Sequence, residues 1–201
     1  MGYDIRKAAV LGAGVMGSGI AAQLANAGIP VLLLDIVPPN PKEGQDTSNK
    51  AWRDSFAGGA VAKMKKAKPS PPTPIMTKRA LELIEVGNFD DDMEKLADCD
   101  WVVEVVVERL DIKQKVFANV AKFAGPGTIG TSNTSGLAIK GMTEGRSDDF
   151  KKHFLVTHFF NPVRYMNLLE LVEGDDTDPA VTAAVHKFGE EFLGKGIVYG
   201  K

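Results

Sequence analysis

A glycine motif near the N-terminus constrains the fold more than any other feature of this sequence. Residues 12 to 17 are GAGVMG, which fits the pattern G-x-G-x-x-G. The short apolar run Ala8-Ala9-Val10-Leu11 precedes the motif, and apolar residues recur at helical spacing after it, as far as Ala27. A strand that leads through such a loop directly into a helix is typical of a nucleotide-binding β-turn-α unit. We therefore predict a buried strand, a phosphate-binding turn and a helix in residues 8–27.

The residues of this motif have separate predicted tasks. Gly12 allows a tight turn, Gly14 lets the backbone approach a pyrophosphate, and Gly17 lets the helix pack closely on the strand. Val15 and Met16 supply free N–H groups at the positive end of the helix, where phosphates bind. The chain has 21 glycines, so a turn without a ligand is the alternative. The flanking strand and helix favour the dinucleotide interpretation.

The end of the second predicted strand indicates which dinucleotide binds. Val31 to Leu34 is an apolar run that ends at Asp35, and an acidic residue is expected about 20 residues after the glycine motif. The Asp35 carboxylate accepts hydrogen bonds from ribose hydroxyls and repels a 2′-phosphate. Ile36 and Val37 bring no arginine to receive such a phosphate. NAD is thus favoured over NADP, and the downstream motifs argue against FAD.

Strand and helix patterns alternate along the chain. This alternation predicts an α/β fold with a doubly wound, mainly parallel Rossmann-type sheet and added C-terminal strands, in a single domain over residues 1–201. The proline-rich segment Lys68–Pro74 is interpreted as a loop inside that domain. Leu81–Val86 is either a strand or a helix end. Further strands are predicted at Trp101–Val107, Thr128–Thr131, Phe154–Phe160, Leu168–Val172 and Ile197–Tyr199. Helices are predicted at Thr47–Lys66, Ile112–Phe123 and Pro179–Leu193.

Composition excludes several classes of protein. Apolar residues make up 44% of the chain, which supports a sizeable core, and 24 basic side chains nearly balance 26 acidic ones. Such a balance attracts neither nucleic acid nor an anionic membrane. Cys99 is the one cysteine, so no internal disulfide forms and a reducing compartment is indicated. The sequence shows no signal peptide, no stretch that spans a bilayer and no metal-ligand pattern. We expect a soluble cytoplasmic protein.

Two polar residues lie within apolar strands near the C-terminus. His158 lies in FLVTHFF, and from this pattern alone a packed structural histidine is favoured over a catalytic one. Glu170 lies in LLELV and needs a partner, because burial of an unpaired carboxylate is expensive. If the two strands form a hairpin-like pair, His158 is the obvious partner. A carboxylate fixes the tautomer of an imidazole, as a base for an alcohol proton requires.

An ordered set of motifs resembles the L-3-hydroxyacyl-CoA dehydrogenase family over nearly the whole chain. These motifs are Gly12-Ala13-Gly14-Val15-Met16-Gly17, Val106-Val107-Glu108, Ser132-Asn133-Thr134-Ser135, His158-Phe159-Phe160-Asn161-Pro162 and Leu171-Val172-Glu173. The resemblance implies NAD-dependent oxidation of L-3-hydroxyacyl-CoA to 3-ketoacyl-CoA in fatty-acid β-oxidation.

The resemblance also implies a role for each matching residue. It makes His158 the catalytic base, Glu170 its acidic partner and Ser135 the contact to the substrate oxygen. It places Glu108 and Lys113 along the cofactor site. Ser135 also fits a helix N-cap before Gly136-Leu137, and one residue is able to do both jobs.

Part of the chain departs from the family pattern. The segment Pro38–Pro74 is rich in proline and more similar to bacterial multifunctional proteins with a hydratase-like domain further along, so CoA contacts are not carried over there. Its lysines either meet CoA phosphates or form a solvated face. They are Lys63, Lys65, Lys66 and Lys68.

The end of the chain resembles the stretch just before the family's C-terminal helical domain. That domain carries an active-site Asn, much of the acyl-CoA groove and the dimer interface. We expect it to be absent from this chain, which would then be the cofactor domain of a longer protein. The resemblance leaves a homodimer open.

Other functions remain as alternatives. A 3-hydroxybutyryl-CoA dehydrogenase differs only in chain length, and a dehydrogenase of another hydroxy acid, such as a sugar acid, uses the same scaffold. A non-catalytic NAD-binding module is the alternative from a different class. Intact His158 and Glu170 argue against that module.

Overall fold

The computed structural model describes residues 3–67 and 73–200, which form one eight-stranded sheet with helices on both faces. The strands are β1 (Ala8–Leu11), β2 (Val31–Asp35), β3 (Ile84–Asn88), β4 (Trp101–Glu104), β5 (Ile129–Ser132), β6 (Phe154–Phe159), β7 (Leu168–Glu173) and β8 (Gly196–Tyr199). The α-helices are α1 (Val15–Asn26), α2 (Lys50–Arg53), α3 (Ser55–Lys66), α4 (Lys78–Leu81), α5 (Leu110–Phe123), α6 (Ile139–Met142), α7 (Asp148–Lys152) and α8 (Pro179–Glu191). A 3₁₀ helix spans Met93–Asp98.

The strand order confirms the predicted fold class. It runs β3-β2-β1-β4-β5-β6-β7-β8. Strands β1 to β6 pair only in parallel with one another, β7 pairs antiparallel with β6, and β8 pairs parallel with β7. The order 3-2-1-4-5-6 is that of the doubly wound dinucleotide-binding sheet. The last two strands are the additions expected at the C-terminus.

The central strands are buried on both faces, which explains their continuous apolar runs. Trp101 on β4 has no exposed surface and packs edge-on against Phe188 of α8, at a ring-centroid distance of 5.7 Å. On the other face, Phe117 of α5 packs on Phe154 of β6 at 4.8 Å. Each fully buried side chain of this size contributes about 1.5–3 kcal/mol. The two cores hold the carboxyl ends of the strands in fixed positions.

The helix predicted over Thr47–Lys66 is wrong in its extent. It starts three residues later and is divided at Asp54 into α2 and α3. The Asp54 carboxylate accepts hydrogen bonds from Lys50 Nζ at 2.5 Å and from Asn88 Nδ2 at 2.6 Å, which ties the break to the end of β3. The ambiguous segment Leu81–Val86 contains both a helix end and the start of a strand. Most of the proline-rich loop, residues 68–72, lies outside the described residues.

The strand predicted over Trp101–Val107 is also too long, since β4 ends at Glu104. The Glu104 side chain accepts a hydrogen bond from Val106 N at 2.7 Å, so this N–H does not pair with a neighbouring strand. Among the described residues, no helix is both long and apolar enough to cross a membrane. The carboxyl ends of the parallel strands meet at one edge of the sheet, where ligands bind in folds of this type.

Candidate active site

The glycine loop has the close backbone contacts that its motif predicts. Gly12 has φ +113°, and a Cβ there would lie 2.6 Å from the carbonyl oxygen of Val105. A Cβ on Gly17 would lie 1.8 Å from the carbonyl oxygen of Gly12. A Cβ on Gly14 would meet nothing within 4 Å, so that residue faces open space. The loop therefore pins the helix to the strand and leaves its outer face free for a ligand.

The first turn of α1 is a suitable site for phosphate. Gly14 is the N-cap, and neither a capping side chain nor an acidic side chain occupies the first turn. The first N–H groups of a helix have no acceptor within the helix, and they carry the positive end of its dipole. Val15 is 74% exposed, so this end of the helix opens to solvent. These residues fit a dinucleotide pyrophosphate.

The Asp35 carboxylate lies at the end of β2 beside this loop. Its two oxygens accept hydrogen bonds from Ala13 N and Ile36 N, both at 2.7 Å. A carboxylate oxygen accepts more than one hydrogen bond, so each oxygen keeps capacity for a ribose hydroxyl. The backbone bonds hold the carboxylate in place before any ligand arrives.

The structure pairs His158 with Glu170, as the hairpin prediction requires. The two residues are register partners on β6 and β7, and His158 Nδ1 lies 3.0 Å from Glu170 Oε2. The side chains are 21% and 35% exposed, respectively. With Nδ1 donating to the carboxylate, Nε2 is the nitrogen that remains as an acceptor. The Phe160 ring lies 4.5 Å from the imidazole, measured between centroids, and supports it.

Ser135 and Glu170 line the same cleft, which has a volume of about 1100 Å³. Ser135 is exposed. The expectation that a helix begins after it is wrong, because α6 starts only at Ile139. The Thr134 hydroxyl instead accepts hydrogen bonds from the backbone N–H groups of residues 136 and 137. Ser135 therefore keeps its hydroxyl for the cleft.

A buried ion pair beneath this cleft was missed by the sequence reasoning. Glu104 has no exposed surface, and its carboxylate holds the ammonium of Lys113 at 2.7 and 2.9 Å. It also accepts a hydrogen bond from the hydroxyl of Ser132 at 2.6 Å. The signal was available, because Glu104 is an acid within an apolar strand and needs a partner for the same reason as Glu170.

The two family-implied cofactor residues occupy different environments. Lys113 is 1% exposed and lies under the cleft rather than along its surface. Its ammonium is 3.3 Å from Glu108 Oε2, and Glu108 is about half exposed. Burial opposes ionisation of Glu108, but the hydrogen bond from Thr134 and the charge of Lys113 outweigh it and lower the pKa of Glu108. Of the two, Glu108 is the one whose side chain reaches solvent.

Lys195 is a second buried lysine, and no sequence pattern indicated it. Lys195 is 4% exposed, and its ammonium donates to the carbonyl oxygens of Val163 at 2.5 Å and Met166 at 2.7 Å. Burial lowers its pKa. These bonds hold the loop that follows the His-Phe-Phe-Asn-Pro motif. Lys63, Lys65 and Lys66 are exposed near the end of α3, as a solvated face requires, and Lys68 lies outside the described residues.

Comparison with known proteins decides the family. The sequence-family model described as "3-hydroxyacyl-CoA dehydrogenase, NAD binding domain" matches residues 7–201. The chain belongs to this family. NAD is therefore its cofactor, and the family is one of oxidoreductases.

Individual relatives agree with this assignment. A Bacillus subtilis protein named "Probable 3-hydroxyacyl-CoA dehydrogenase" is 52% identical over 100% of this chain and 26% of its own length. A Rickettsia felis protein named "Putative fatty acid oxidation complex trifunctional enzyme" is 39% identical over 98% of the chain and 26% of its own length. The crystal structure of 3-hydroxybutyryl-CoA dehydrogenase from Escherichia coli K12 superposes with a TM-score of 0.77 and 27% identity, covering 98% of this chain and 38% of that one. The chain thus spans about a quarter of the length of these two sequence relatives.

Proposed function

We propose that the protein oxidises L-3-hydroxyacyl-CoA to 3-ketoacyl-CoA with NAD, as a step of fatty-acid β-oxidation. The observation that carries this proposal is the His158–Glu170 pair, 3.0 Å apart, on the sheet that also carries the glycine loop. Oxidation of a secondary alcohol removes a proton from the hydroxyl group and a hydride from the carbon that carries it. A positioned imidazole suits the first task and NAD suits the second.

In this reaction His158 is the base. Its Nε2 takes the proton of the substrate hydroxyl, while Glu170 holds Nδ1–H and stabilises the resulting imidazolium. The Ser135 hydroxyl donates a hydrogen bond to the same substrate oxygen and fixes the substrate in the cleft. NAD supplies the hydride acceptor.

The cofactor is held by residues at the carboxyl ends of β1, β2 and β4. The free N–H groups of Val15 and Met16, with the close backbone approach at Gly14, bind the pyrophosphate. Asp35 accepts hydrogen bonds from the adenosine ribose. Glu108, which Lys113 helps to keep ionised, faces the nicotinamide half of the cofactor.

The substrate is an acyl-CoA, and its groove needs more protein than this chain. Two observations support this view. The cleft beside Ser135 is open, and the two sequence relatives described above are about four times as long as the segment that they share with the chain. We propose that a helical domain beyond this segment completes the groove in the whole protein, and that such a protein acts in the cytoplasm, alone or as a homodimer.

The decisive experiment is a steady-state assay of the whole protein with NADH and acetoacetyl-CoA. His158→Ala should lower kcat by about 10²–10⁴-fold, the range for loss of a positioned acid–base group, without a change in NAD affinity. Glu170→Gln should cost less, because the imidazole survives. Wild-type turnover by His158→Ala would identify another residue as the base.

The isolated 201-residue chain serves as the matched comparison. It should bind NAD but turn over acetoacetyl-CoA poorly, since positioning of the substrate supplies much of the rate. Robust turnover by a monomer of this chain would contradict a groove completed from outside it. NAD binding by the whole protein, without turnover of any 3-hydroxyacyl-CoA or 3-hydroxybutyryl-CoA, would instead favour a non-catalytic module.

A further inference from the structure

Five polar residues beside the cleft form a closed ring of hydrogen bonds and ion pairs, which we call the polar ring and in which Thr134 takes part through both its backbone N–H and its hydroxyl. They come from the end of β4, the following loop, α5, the end of β5 and the turn after it. The members are Glu104, Glu108, Lys113, Ser132 and Thr134.

The ring closes through contacts in both directions from Glu104. On one side, the Ser132 hydroxyl donates to Glu104 Oε2 at 2.6 Å and accepts from Thr134 N at 3.3 Å. On the other side, the Lys113 ammonium joins Glu104 to Glu108 Oε2, at 2.7 and 3.3 Å. The hydroxyl of Thr134 donates to Glu108 Oε1 and completes the ring. Glu104 and Glu108 thus share the side chain of Lys113.

The polar ring is connected to the proposed reaction centre at two points. Thr134 immediately precedes Ser135, so the ring fixes the turn that presents the Ser135 hydroxyl to the cleft. Asn133, in the same turn, accepts a hydrogen bond from Phe159 N at 2.8 Å, next to His158 on β6. The turn thus has a fixed position relative to both the base and Glu108.

We propose that Glu104 is a positioning residue, which acts through Ser132 and Thr134 to place Ser135 and through Lys113 to orient Glu108. This role deepens the proposed dehydrogenase function and rests on it. Glu104 has no exposed surface, so it reaches neither substrate nor cofactor itself. Its effect on the reaction comes only from the atoms that it holds.

The first test measures the turn without any enzymatic assay. Amide hydrogen exchange of the chain is measured by mass spectrometry in two variants, Glu104→Gln and Ser132→Ala. Ser132→Ala opens the ring at a neutral hydroxyl, so it disturbs folding less than a change at the buried carboxylate. Both should speed exchange in residues 133–137 and leave α8 at the wild-type rate. Val185→Ala, a buried truncation on α8, is the matched control and should not affect the turn. Wild-type exchange in 133–137 for Ser132→Ala would overturn the proposal.

The second test is a double-mutant cycle on turnover by the whole protein. Ser132→Ala should lower kcat by up to about 100-fold, as expected for a reacting group misplaced by about 1 Å. In a Ser135→Ala background, Ser132→Ala should lower kcat almost no further, because the hydroxyl that the ring positions is gone. If Ser132→Ala lowers kcat by the same factor in both backgrounds, the ring gives stability only, which contradicts the proposal. A wild-type protein without turnover would refute the dehydrogenase function, and the exchange data would still decide the role of the ring.

Discussion

Replacement of Gly14 by alanine separates cofactor binding from folding. Gly14 has φ −64° and ψ −168°, a backbone conformation that alanine adopts without strain, and the new Cβ would meet nothing within 4 Å. The variant should therefore fold, with a free energy of unfolding within about 1 kcal/mol of wild type. The same Cβ fills the space through which a pyrophosphate approaches the first turn of α1.

The expected loss of affinity follows from the bonds that this Cβ prevents. A hydrogen bond to a charged group contributes about 1.5–3 kcal/mol. Loss of two N–H···phosphate bonds therefore costs roughly 3 kcal/mol or more, and 1.4 kcal/mol corresponds to a factor of ten. The Kd for NAD should rise by about 100-fold or more. Isothermal titration calorimetry of the chain measures the Kd, and thermal unfolding of the same sample measures Tm.

Two other glycines provide controls for the same substitution. Gly58→Ala lies in α3 with nothing within 4 Å of its Cβ. It should leave the Kd unchanged and raise Tm by about 2–4 °C, since alanine is the better helix former. Gly17→Ala would place a Cβ 1.8 Å from a backbone oxygen and should destabilise the fold as well as abolish binding. A Gly14→Ala chain with wild-type affinity for NAD would show that the pyrophosphate does not approach this turn.

Three further predictions concern single side chains. Asp35→Ala should weaken NAD binding and reduce the preference for NAD over NADP in a titration with both cofactors. Tighter binding of NADP than of NAD by the wild type would refute the role of Asp35. Lys195→Met should lower the free energy of unfolding by roughly 2 kcal/mol, because two buried carbonyl oxygens lose their donor, whereas an unchanged urea midpoint would show that those carbonyls find other partners. Burial raises the pKa of the Cys99 thiol to about 11, so the folded chain keeps this proton while the unfolded chain releases it above about pH 8.5. The stability of wild type relative to Cys99→Ala should thus fall by about 1 kcal/mol per pH unit from pH 8.5 towards 11, and parallel curves for the two proteins would contradict the raised pKa.

The sequence by itself determined the features that depend on neighbours along the chain. The glycine loop, the first strand and helix, and Asp35 at the end of β2 follow from a local motif with strict spacing. The pairing of His158 with Glu170 was also predictable, because two polar residues in adjacent apolar strands each need a partner. These short-range rules were sufficient for the fold class and for the choice of NAD.

Only the tertiary structure decided which distant residues meet beneath the cleft. Glu104 and Ser132 end neighbouring parallel strands, while Lys113 reaches them from α5. No local sequence pattern indicates that these three residues meet, because the register of parallel strands depends on packing of the whole sheet. The same holds for Lys195, whose acceptors lie about 30 residues earlier in the chain. Burial of a charge requires compensation, which the sequence indicates, but the partner that provides it is fixed by the fold.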